Sequence, residues 1–389
     1  MDNFFFHNPV KIVFGKGMVQ HTGAEISKYP VKKLLIVFGQ SSAQKYGILN
    51  TVISELDKKN INHVLFGGIA PNPGLENVNK AIAISRRHNV DGILAIGGGS
   101  VIDTAKAVAV GHFYNGNIWD FFENNIVPEN ALPIFTVVTL SATASEMNPT
   151  AVITNEAENK KWSFAAGSLT MPKLSIIDPQ LQVTVPAKQT VMGAVDSIAH
   201  ILEYYFNGVE NVDIQDEFSE GLVRTLVKHT QILLQTPDNY ESRAQLAWCS
   251  VLAFNGLNAA GRFGGDFATH TIEHSLSAFY PNIHHAEGLA VILPNWMDYV
   301  ASEKIEKFAR FAANVFCCDT PGTEARAKKG IENLRRVFSS LGAPARLKQL
   351  GVKESDLEKI AGNAVLHGPI GRLKKLNKND ILHILVHSY

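Results

Sequence analysis

The sequence has 389 residues, of which 46% are hydrophobic and 19% charged, and its formal net charge is zero. This composition is typical of a soluble globular protein, and a chain of this length usually divides into two domains. The balanced charge argues against nucleic acid or an anionic membrane surface as the main partner and favours a small-molecule ligand.

The three cysteines, Cys249, Cys317 and Cys318, are too few for a disulfide framework and lack zinc-knuckle spacing. The segment MDNFFFHNPVKIVFGKG lacks the apolar core of a signal peptide. No stretch approaches the roughly 18 uninterrupted apolar residues of a membrane helix. We therefore expect a cytoplasmic protein.

Short apolar runs alternate with amphipathic stretches in the first half of the chain. Strands are predicted over KLLIVFG, HVLFGGI, GILAIGGG and PIFTVVTL. Helices are predicted between them, over NTVISELDKKN, NVNKAIAISRRHN and VIDTAKAVAVGH. This alternation predicts a parallel sheet with helices on both faces.

Beyond Asp178 and Pro179 the apolar residues recur at a helical period, for example in TVMGAVDSIAHILEYYF, FSEGLVRTLVKHTQILLQ and AEGLAVILPNWMDYVA. We place the domain boundary near residue 182. The sequence thus predicts an α/β domain over 1–182 and an all-helical domain over 183–389, with a ligand cleft between them.

The segment LAIGGGSVIDTAKAV reads as a strand, a glycine loop and a helix. Gly97, Gly98 and Gly99 are expected to adopt backbone conformations closed to other residues and to approach a ligand closely. Ser100 is expected to cap the helix, whose N-terminus would bind a phosphate. Asp103, placed in the first turn, could accept a ribose hydroxyl. The alternative is a tight turn without a ligand, since the loop is not a G-x-G-x-x-G fingerprint.

A second polar loop, TLSATASEMNPT, follows the last of these strands. Its hydroxyl groups, on Thr139, Ser141, Thr143 and Ser145, lie at the carboxyl end of the strand. Open α/β sheets bind ligands at that edge. The alternative is a loop that only caps a short helix.

Two pairs of residues that could bind a metal occur at helical spacing in the second half of the chain. Asp196 and His200 are four residues apart within an otherwise apolar helix, and so are His270 and His274. A carboxylate and an imidazole are costly on an apolar helix unless they pair or bind metal.

Two adjacent histidines, His284 and His285, follow the second pair. One carboxylate with three imidazoles would suit Fe²⁺ or Zn²⁺. In the alternative, Asp196 and His200 pair with each other and the later histidines lie at the surface.

The same segment also fits an inverted zinc-hydrolase motif, H-x-x-E-H. In that motif His270 and His274 would bind zinc and Glu273 would activate water. That alternative leaves the glycine loop and Asp196 without roles.

Together these motifs resemble the iron-dependent (group III) alcohol dehydrogenases, and most closely their NADP-dependent butanol dehydrogenase and aldehyde reductase branch. The resemblance runs from NPVKIVFGKG through GGGS-x-x-D-x-x-K and TLSATASEMN to D-x-x-x-H, ATHTIEH and GLAVILPNWM. It implies a Rossmann-like α/β domain followed by a helical metal-binding domain, a dehydroquinate synthase-like fold, with coenzyme and metal in the cleft. It also implies a homodimer.

The resemblance implies a set of coenzyme contacts. They are a pyrophosphate loop (Gly97, Gly98, Gly99, Ser100), a nicotinamide side (Thr139, Ser141, Ser145), a lysine near the ribose (Lys161) and a further contact (Asn72).

After KLLIVF, family members that prefer NAD have an acidic residue that would repel a 2′-phosphate. Here that position holds Gly39, followed by Gln40, Ser41 and Ser42. We therefore expect Gly39 and Ser41 to border a site that prefers NADP(H).

The metal ligands implied by the resemblance are Asp196, His200, His270 and one later histidine. His274 matches a position near the reacting centre, where it could relay a proton.

The fourth ligand depends on the alignment. Counting from His274 selects His284, whereas aligning HAEGLA with the family's H-G-x-G-L-A selects His285. Loops absorb insertions more readily than helices, so we choose His285.

The sequence thus predicts a metal-dependent NADP(H) alcohol dehydrogenase, acting mainly as an aldehyde reductase on short-chain primary substrates. Trp162, Phe254 and Phe263 suggest an uncharged substrate. The alternatives on the same scaffold are polyol or sugar-phosphate dehydrogenases and lyases. Those that handle phosphates would need Arg and Lys near the metal, and the segments expected at the cleft are poor in both, with Arg262 the main exception.

Overall fold

The computed structural model describes residues 1–123 and 126–389, and these residues form two compact units. The sheet unit comprises residues 7–185 and 238–247, and the helical unit comprises 1–6, 186–237 and 248–389. The sequence suggested one boundary near residue 182 and two continuous domains. Instead, residues 1–6 group with the helical unit and residues 238–247 group with the sheet unit.

Local bonding explains this grouping. In the helical unit, the amino group of Met1 donates to the carbonyl of Glu210 and the N–H of Asp2 donates to the carbonyl of Gly261. In the sheet unit, the guanidinium of Arg243 donates to the carbonyl of Val185. Each short segment is therefore fixed to its own unit by backbone acceptors.

The sheet unit contains all the strands of the described residues. They are β1 (Lys11–Phe14), β2 (Lys33–Gly39), β3 (Asn62–Ile69), β4 (Gly92–Gly97), β5 (Ile134–Val138), β6 (Thr150–Asn155), β7 (Lys160–Ala165) and β8 (Leu174–Ile177). Its α-helices are α1 (Thr22–Ile26), α2 (Ser42–Lys45), α3 (Ile48–Asp57), α4 (Leu75–Arg87), α5 (Gly99–Gly111) and α6 (Asp120–Glu123). Short 3-10 helices span Met18–His21, Ser145–Met147, Gly167–Leu169 and Pro179–Gln182.

Six strands form one parallel sheet in the order β1-β8-β5-β4-β2-β3, and β6 and β7 form a separate antiparallel hairpin. Every residue of β4 is buried, which is why this strand reads as a continuous apolar run. Ile26 of α1 and Val52 of α3 belong to the same buried cluster as Leu34 of β2 and Ile96 of β4. The predicted parallel α/β fold is confirmed.

The strand order determines where a ligand can bind. The chain passes from β2 outward to β3 and then returns to the other side of β2 to form β4. Open α/β sheets bind ligands at such a switch point, beyond the carboxyl ends of the strands. Here those ends are Gly39 and Gly97, with Val138 of β5 paired to Gly97.

The remaining described chain is helical, as predicted. Its helices are α7 (Ala187–Tyr205), α8 (Asp213–Gln235), α9 (Tyr240–Ala253), α10 (Ala268–Phe279), α11 (His285–Val300), α12 (Ile305–Phe316), α13 (Thr323–Ser340), α14 (Leu357–Ala364) and α15 (Lys378–Ser388). Short 3-10 helices span Ala301–Lys304, Leu347–Leu350 and Glu354–Asp356. No helix among the described residues is long and apolar enough to cross a membrane.

Helix α7 is the central element of the helical unit. Every residue from Thr190 to Tyr205 is buried, and the helix packs against α8, α10 and α11. A helix surrounded by protein on all sides would normally be apolar throughout. The polar residues of α7 therefore require partners, and they form the site described next.

Candidate functional site

Three helices bring an acidic and imidazole cluster together inside the helical unit. Asp196 and His200 lie on α7, His270 lies on α10, and His285 is the first residue of α11. Ligand atoms of Asp196, His270 and His285 all lie within 4.8 Å of one another. We name these three residues the metal set.

The metal set has distances suited to one ion. Oδ1 of Asp196 is 3.8 Å from Nε2 of His270 and 3.8 Å from Nε2 of His285. Ligand atoms about 2.1 Å from a tetrahedral Zn²⁺ are about 3.4 Å from one another, slightly less than these separations. Small side-chain shifts would therefore close the three atoms around a cation.

Two buried atoms of the metal set lack hydrogen-bond partners among residues 1–123 and 126–389. They are Oδ1 of Asp196 and Nε2 of His270. Leaving such groups buried and unsatisfied costs about 1–3 kcal/mol each, and more for a charged oxygen. A divalent cation would satisfy both atoms at once, so these residues fit a metal ion.

Two buried glutamates orient the imidazoles. Nδ1–H of His270 donates to Oε2 of Glu203, whose Oε1 accepts the N–H of Thr269 at 2.7 Å. Nδ1–H of His285 donates to Oε2 of Glu273. Because a carboxylate can only accept, each Nδ1 holds the proton and each Nε2 presents its lone pair. This is the arrangement of carboxylate–histidine–metal triads.

Glu203 is not among the residues predicted from the sequence, and Glu273 has a role other than the predicted one. Glu203 follows Asp196 by seven residues on the same face of a buried helix, which was the available signal. In the hydrolase alternative, Glu273 would activate water beside His270 and His274. Instead its carboxylate accepts from His285 and from the hydroxyl of Ser277.

The electrostatics of the cluster favour a cation. Burial raises the pKa of the Asp196 carboxyl, but the imidazoles of His200, His270 and His285 outweigh burial and hold that pKa well below its usual range. Burial lowers the pKa of His270, but the carboxylates of Glu203 and Asp196 outweigh it and raise that pKa to about 10. Without a metal ion these carboxylates therefore favour a second proton, on Nε2 of His270, and a bound cation would take the place of that proton.

The other predicted histidines have different surroundings. Nδ1–H of His200 donates to the carbonyl of Asp196 at 2.9 Å, and its ring centroid is 4.2 Å from that of His270. His274 is half-buried, with its ring 5.2 Å from that of His285. His284 is the N-cap of α11, where its Nδ1 accepts the N–H of Ala286.

Aromatic side chains surround the metal set within the helical unit. The ring of Phe254 lies 4.5 Å from that of His200 and 5.7 Å from that of Phe267, a residue that sequence analysis did not single out. Phe263 is 76% exposed, and Cζ of Arg372 lies 5.0 Å from the centroid of its ring. Arg262 is fully buried and donates to Asp216 at 2.8 Å, so its charge is already compensated.

The sheet unit contains the predicted glycine loop, but the reason for its glycines differs from the expectation. None of the three has a positive φ. A Cβ atom would lie 2.4 Å from Cγ2 of Val101 if added to Gly97, and 2.5 Å from Oγ1 of Thr143 if added to Gly99. Glycine is required here for close packing rather than for an unusual backbone conformation.

The start of α5 also differs from the prediction. The helix begins at Gly99, its N-cap is Gly98, and no side chain caps it, so Ser100 lies inside the helix. Asp103 lies beyond the first turn, and its two oxygens accept the hydroxyl of Ser145 at 2.5 Å and the N–H of Val152 at 3.0 Å. Asp103 therefore holds the nearby segment that contains Ser145 and Val152, whereas the sequence suggested that Asp103 contacts a ribose.

The remaining predicted coenzyme residues have varied exposure. Ser141 is buried and donates to Gln182 at 2.9 Å, and Ser41 is exposed after β2. The others lie at strand ends, in a left-handed turn or in the hairpin: Gly39 ends β2, Gly98 and Thr139 follow β4 and β5, Asn72 has a φ of 52°, and Lys161 is buried on β7.

Comparisons with protein families match both units. A family described as iron-containing alcohol dehydrogenase matches residues 9–179. The C-terminal part of the Fe-containing alcohol dehydrogenase family matches residues 190–389. Together these matches cover nearly the whole chain.

Individual relatives agree with the family matches. A probable NADH-dependent butanol dehydrogenase of Bacillus subtilis is 41% identical, with 99% of each chain covered. The NADPH-dependent aldehyde reductase YqhD of Escherichia coli is 33% identical over 95% of this chain and 94% of its own. The crystal structure of an NADH-dependent butanol dehydrogenase A from Thermotoga maritima is 44% identical, with a TM-score of 0.97 over 100% of this chain and 99% of that one.

Replacing either orienting glutamate should weaken metal binding. Glu203→Gln and Glu273→Gln keep the side-chain size but remove the charge that fixes the imidazole tautomer. We expect each to lower Zn²⁺ affinity by about 10- to 100-fold, measured by competition with a chromophoric chelator.

The matched control is Glu287→Gln. Its carboxylate accepts the backbone N–H of His284 at 3.0 Å and pairs with Lys188 at 2.6 Å. This variant should keep the parent affinity. Unchanged affinity in both test variants, with folding intact by circular dichroism, would show that the glutamates do not support a metal.

Proposed function

The chain belongs to the iron-containing alcohol dehydrogenase family, and we propose that it interconverts short-chain primary alcohols and aldehydes with a nicotinamide coenzyme and one divalent metal, Fe²⁺ or Zn²⁺. The observation that supports this most directly is the buried metal set, with Oδ1 of Asp196 and Nε2 of His270 unsatisfied among the described residues. The names of the relatives refer to butanol and to aldehydes.

Asp196, His270 and His285 would hold the metal, with His200 as the fourth ligand. When bound, the cation acts as a Lewis acid on the carbonyl group and the coenzyme supplies or accepts hydride. Glu203 and Glu273 keep the Nε2 atoms of their histidines directed towards the cation. No protein nucleophile is required.

His274 is the proposed proton-handling residue. It lies one turn after His270 on α10 and is only half-buried, with its ring 6.4 Å from that of His270. An imidazole titrates near neutral pH and can pass a proton between an oxygen and solvent. Its position beside the metal set, rather than within it, suits that role.

The surroundings of the metal set favour an uncharged substrate. Phe254 and Phe267 present apolar rings near His200 and His270. A sugar phosphate would need a free cation, but Arg262 is bound to Asp216 and to the carbonyl of Tyr204. A short-chain aldehyde therefore fits better than a phosphorylated substrate.

The proposed binding edge for the coenzyme is the switch point of the sheet, where Gly39 and the glycine loop end neighbouring strands. We propose that NADP(H) is preferred, because no carboxylate occupies the position of Gly39 and the hydroxyls of Ser41 and Ser42 are exposed beside it. Two of the most similar relatives are named as NADH-dependent enzymes, so this preference needs a direct test.

Steady-state kinetics with butanal test the coenzyme preference. The parent enzyme should have a higher kcat/KM for NADPH than for NADH. Gly39→Asp should lower kcat/KM for NADPH by at least about tenfold, equivalent to about 1.4 kcal/mol of repulsion, and spare NADH. The new side chain has room, since the atoms nearest to its Cβ would be 3.8 and 4.0 Å away.

The uncharged variant Gly39→Asn is the matched control. It has the shape of aspartate without its charge. We expect it to change kcat/KM for NADPH and for NADH by the same factor. A parent enzyme that uses NADH better than NADPH would overturn the proposed preference while leaving the dehydrogenase assignment intact.

Separate substitutions of the adjacent residues His284 and His285 test the metal-dependent activity. His285→Ala should lower NADPH-dependent butanal reduction by about 100-fold or more, because it removes a ligand of the metal that polarises the carbonyl. His284→Ala removes only the N-cap of α11 and should cost about 1 kcal/mol of stability with little loss of activity. The opposite result would make His284 the ligand. No turnover by the metal-loaded parent with either coenzyme would refute the proposed function.

A further inference from the structure

Lys106 is a fully buried lysine in α5, the helix that begins at the glycine loop. Its ammonium donates three hydrogen bonds, to Oγ of Ser145 at 2.7 Å, Oδ1 of Asn148 at 3.2 Å and the carbonyl of Thr150 at 2.8 Å. An ammonium has three N–H donors, so all are used. All three acceptors lie within one short segment, 145–150, which we name the clamped segment.

Asp103, one turn earlier on α5, binds the same stretch of chain. One of its oxygens accepts the hydroxyl of Ser145 and the other accepts the N–H of Val152. The hydroxyl of Ser145 therefore donates to Asp103 and accepts from Lys106. This hydroxyl is already committed within the sheet unit, which fits a structural role better than the nicotinamide contact suggested by the resemblance.

Asn148 extends the clamp to the glycine loop. Its amide donates to the carbonyls of Thr143 and Ala144, at 3.2 and 2.8 Å, while its oxygen accepts from Lys106. These bonds hold Ala144 in a left-handed conformation, with a φ of 51°. They also place the side chain of Thr143 directly over Gly99, where a Cβ would be 2.5 Å from Oγ1.

The buried charge is compensated locally. Burial lowers the pKa of Lys106 to about 8, against the opposing influence of Asp103 and Glu146. Burial also raises the pKa of Glu146 to about 7. The three hydrogen bonds of the ammonium offset part of the cost of burying its charge, a cost that a methionine in the same space would not incur.

We infer that Lys106 is a positioning residue for the coenzyme: through Ser145 and Asn148 it fixes the clamped segment so that Thr143 meets the glycine loop and the two loops form one preorganised binding edge. This inference rests on the proposed function, because it assumes that a nicotinamide coenzyme binds at that edge. Lys106 contacts no ligand in this scheme. Its effect is on coenzyme affinity and not on the hydride step.

The test compares Lys106→Met, which removes the donors, with Lys106→Arg, which keeps the charge and can restore part of the bonding. The dissociation constant of NADPH and of NADH is measured by fluorescence titration of the metal-loaded enzyme, alongside KM and kcat. We expect Lys106→Met to raise the dissociation constant and the coenzyme KM by about tenfold, with kcat within about twofold of the parent. Lys106→Arg should recover part of that affinity.

Two further variants separate positioning from general stability. Asn148→Ala keeps the lysine but breaks its link to the turn at Thr143 and Ala144, so it should also weaken coenzyme binding, and it decides the question if Lys106→Met does not fold. Ser85→Ala removes a buried hydrogen bond to the carbonyl of Ile82, at 2.8 Å on α4 of the same unit and outside the clamped segment. It should lower the melting temperature without changing coenzyme affinity.

The outcomes are distinct. Weaker coenzyme binding in Lys106→Met and Asn148→Ala, with parent-like binding in Ser85→Ala, supports the inference. Parent-like binding in Asn148→Ala and in any folded Lys106→Met overturns it while leaving the proposed function intact. A parent enzyme that binds neither coenzyme overturns both.

Discussion

The helical unit depends on one buried carboxylate. Asp196 lies on a helix that is enclosed by protein, and Oδ1 lies 3.3–3.8 Å from nitrogens of three imidazoles without a hydrogen bond to satisfy it among the described residues. A charged oxygen in such a place is stable only beside a positive charge. Glu203 and Glu273 add to the need for a positive charge. Each accepts a hydrogen bond from Nδ1 of an imidazole, which directs the Nε2 lone pair towards Oδ1 of Asp196. Two of the four histidines in ATHTIEHSLSAFYPNIHH, His270 and His285, meet this constraint.

In the sheet unit, the strands place polar loops close to the N-terminus of helix α5. Parallel strands end at one edge, and the connections that follow β2 and β4 lead in opposite directions along the sheet. The glycine loop packs against Thr143 too closely for any side chain at Gly99. Buried polar bonds from Lys106 and Asp103 hold the opposing loop in place. Close packing and internal hydrogen bonds thus shape this edge before any ligand binds.

Much of the fold could be predicted from the sequence, because the interval at which apolar residues recur indicates whether a segment forms a strand or a helix. The parallel sheet and the helical second half follow from such signals, whereas the grouping of Asp196 with His270, on a different helix, was implied by the family resemblance. The hydrogen bonds of Ser145 and the role of Glu203 could not be predicted, because they depend on which elements meet in three dimensions. The same limitation explains why the sequence suggests Ser100 as the helix cap, whereas it lies inside α5. Each error concerned the direction of a side chain rather than the existence of its element.

The most direct measurement is anomalous diffraction from crystals grown with Zn²⁺ or Fe²⁺, collected at the absorption edge of the metal. A single peak is expected within about 2.0–2.3 Å of ligand atoms from Asp196, His270 and His285. The same map would show whether His200 completes the coordination. A crystal with no peak at these residues, or with the ion bound by His284 instead of His285, would contradict a metal centre built on the Asp196 carboxylate.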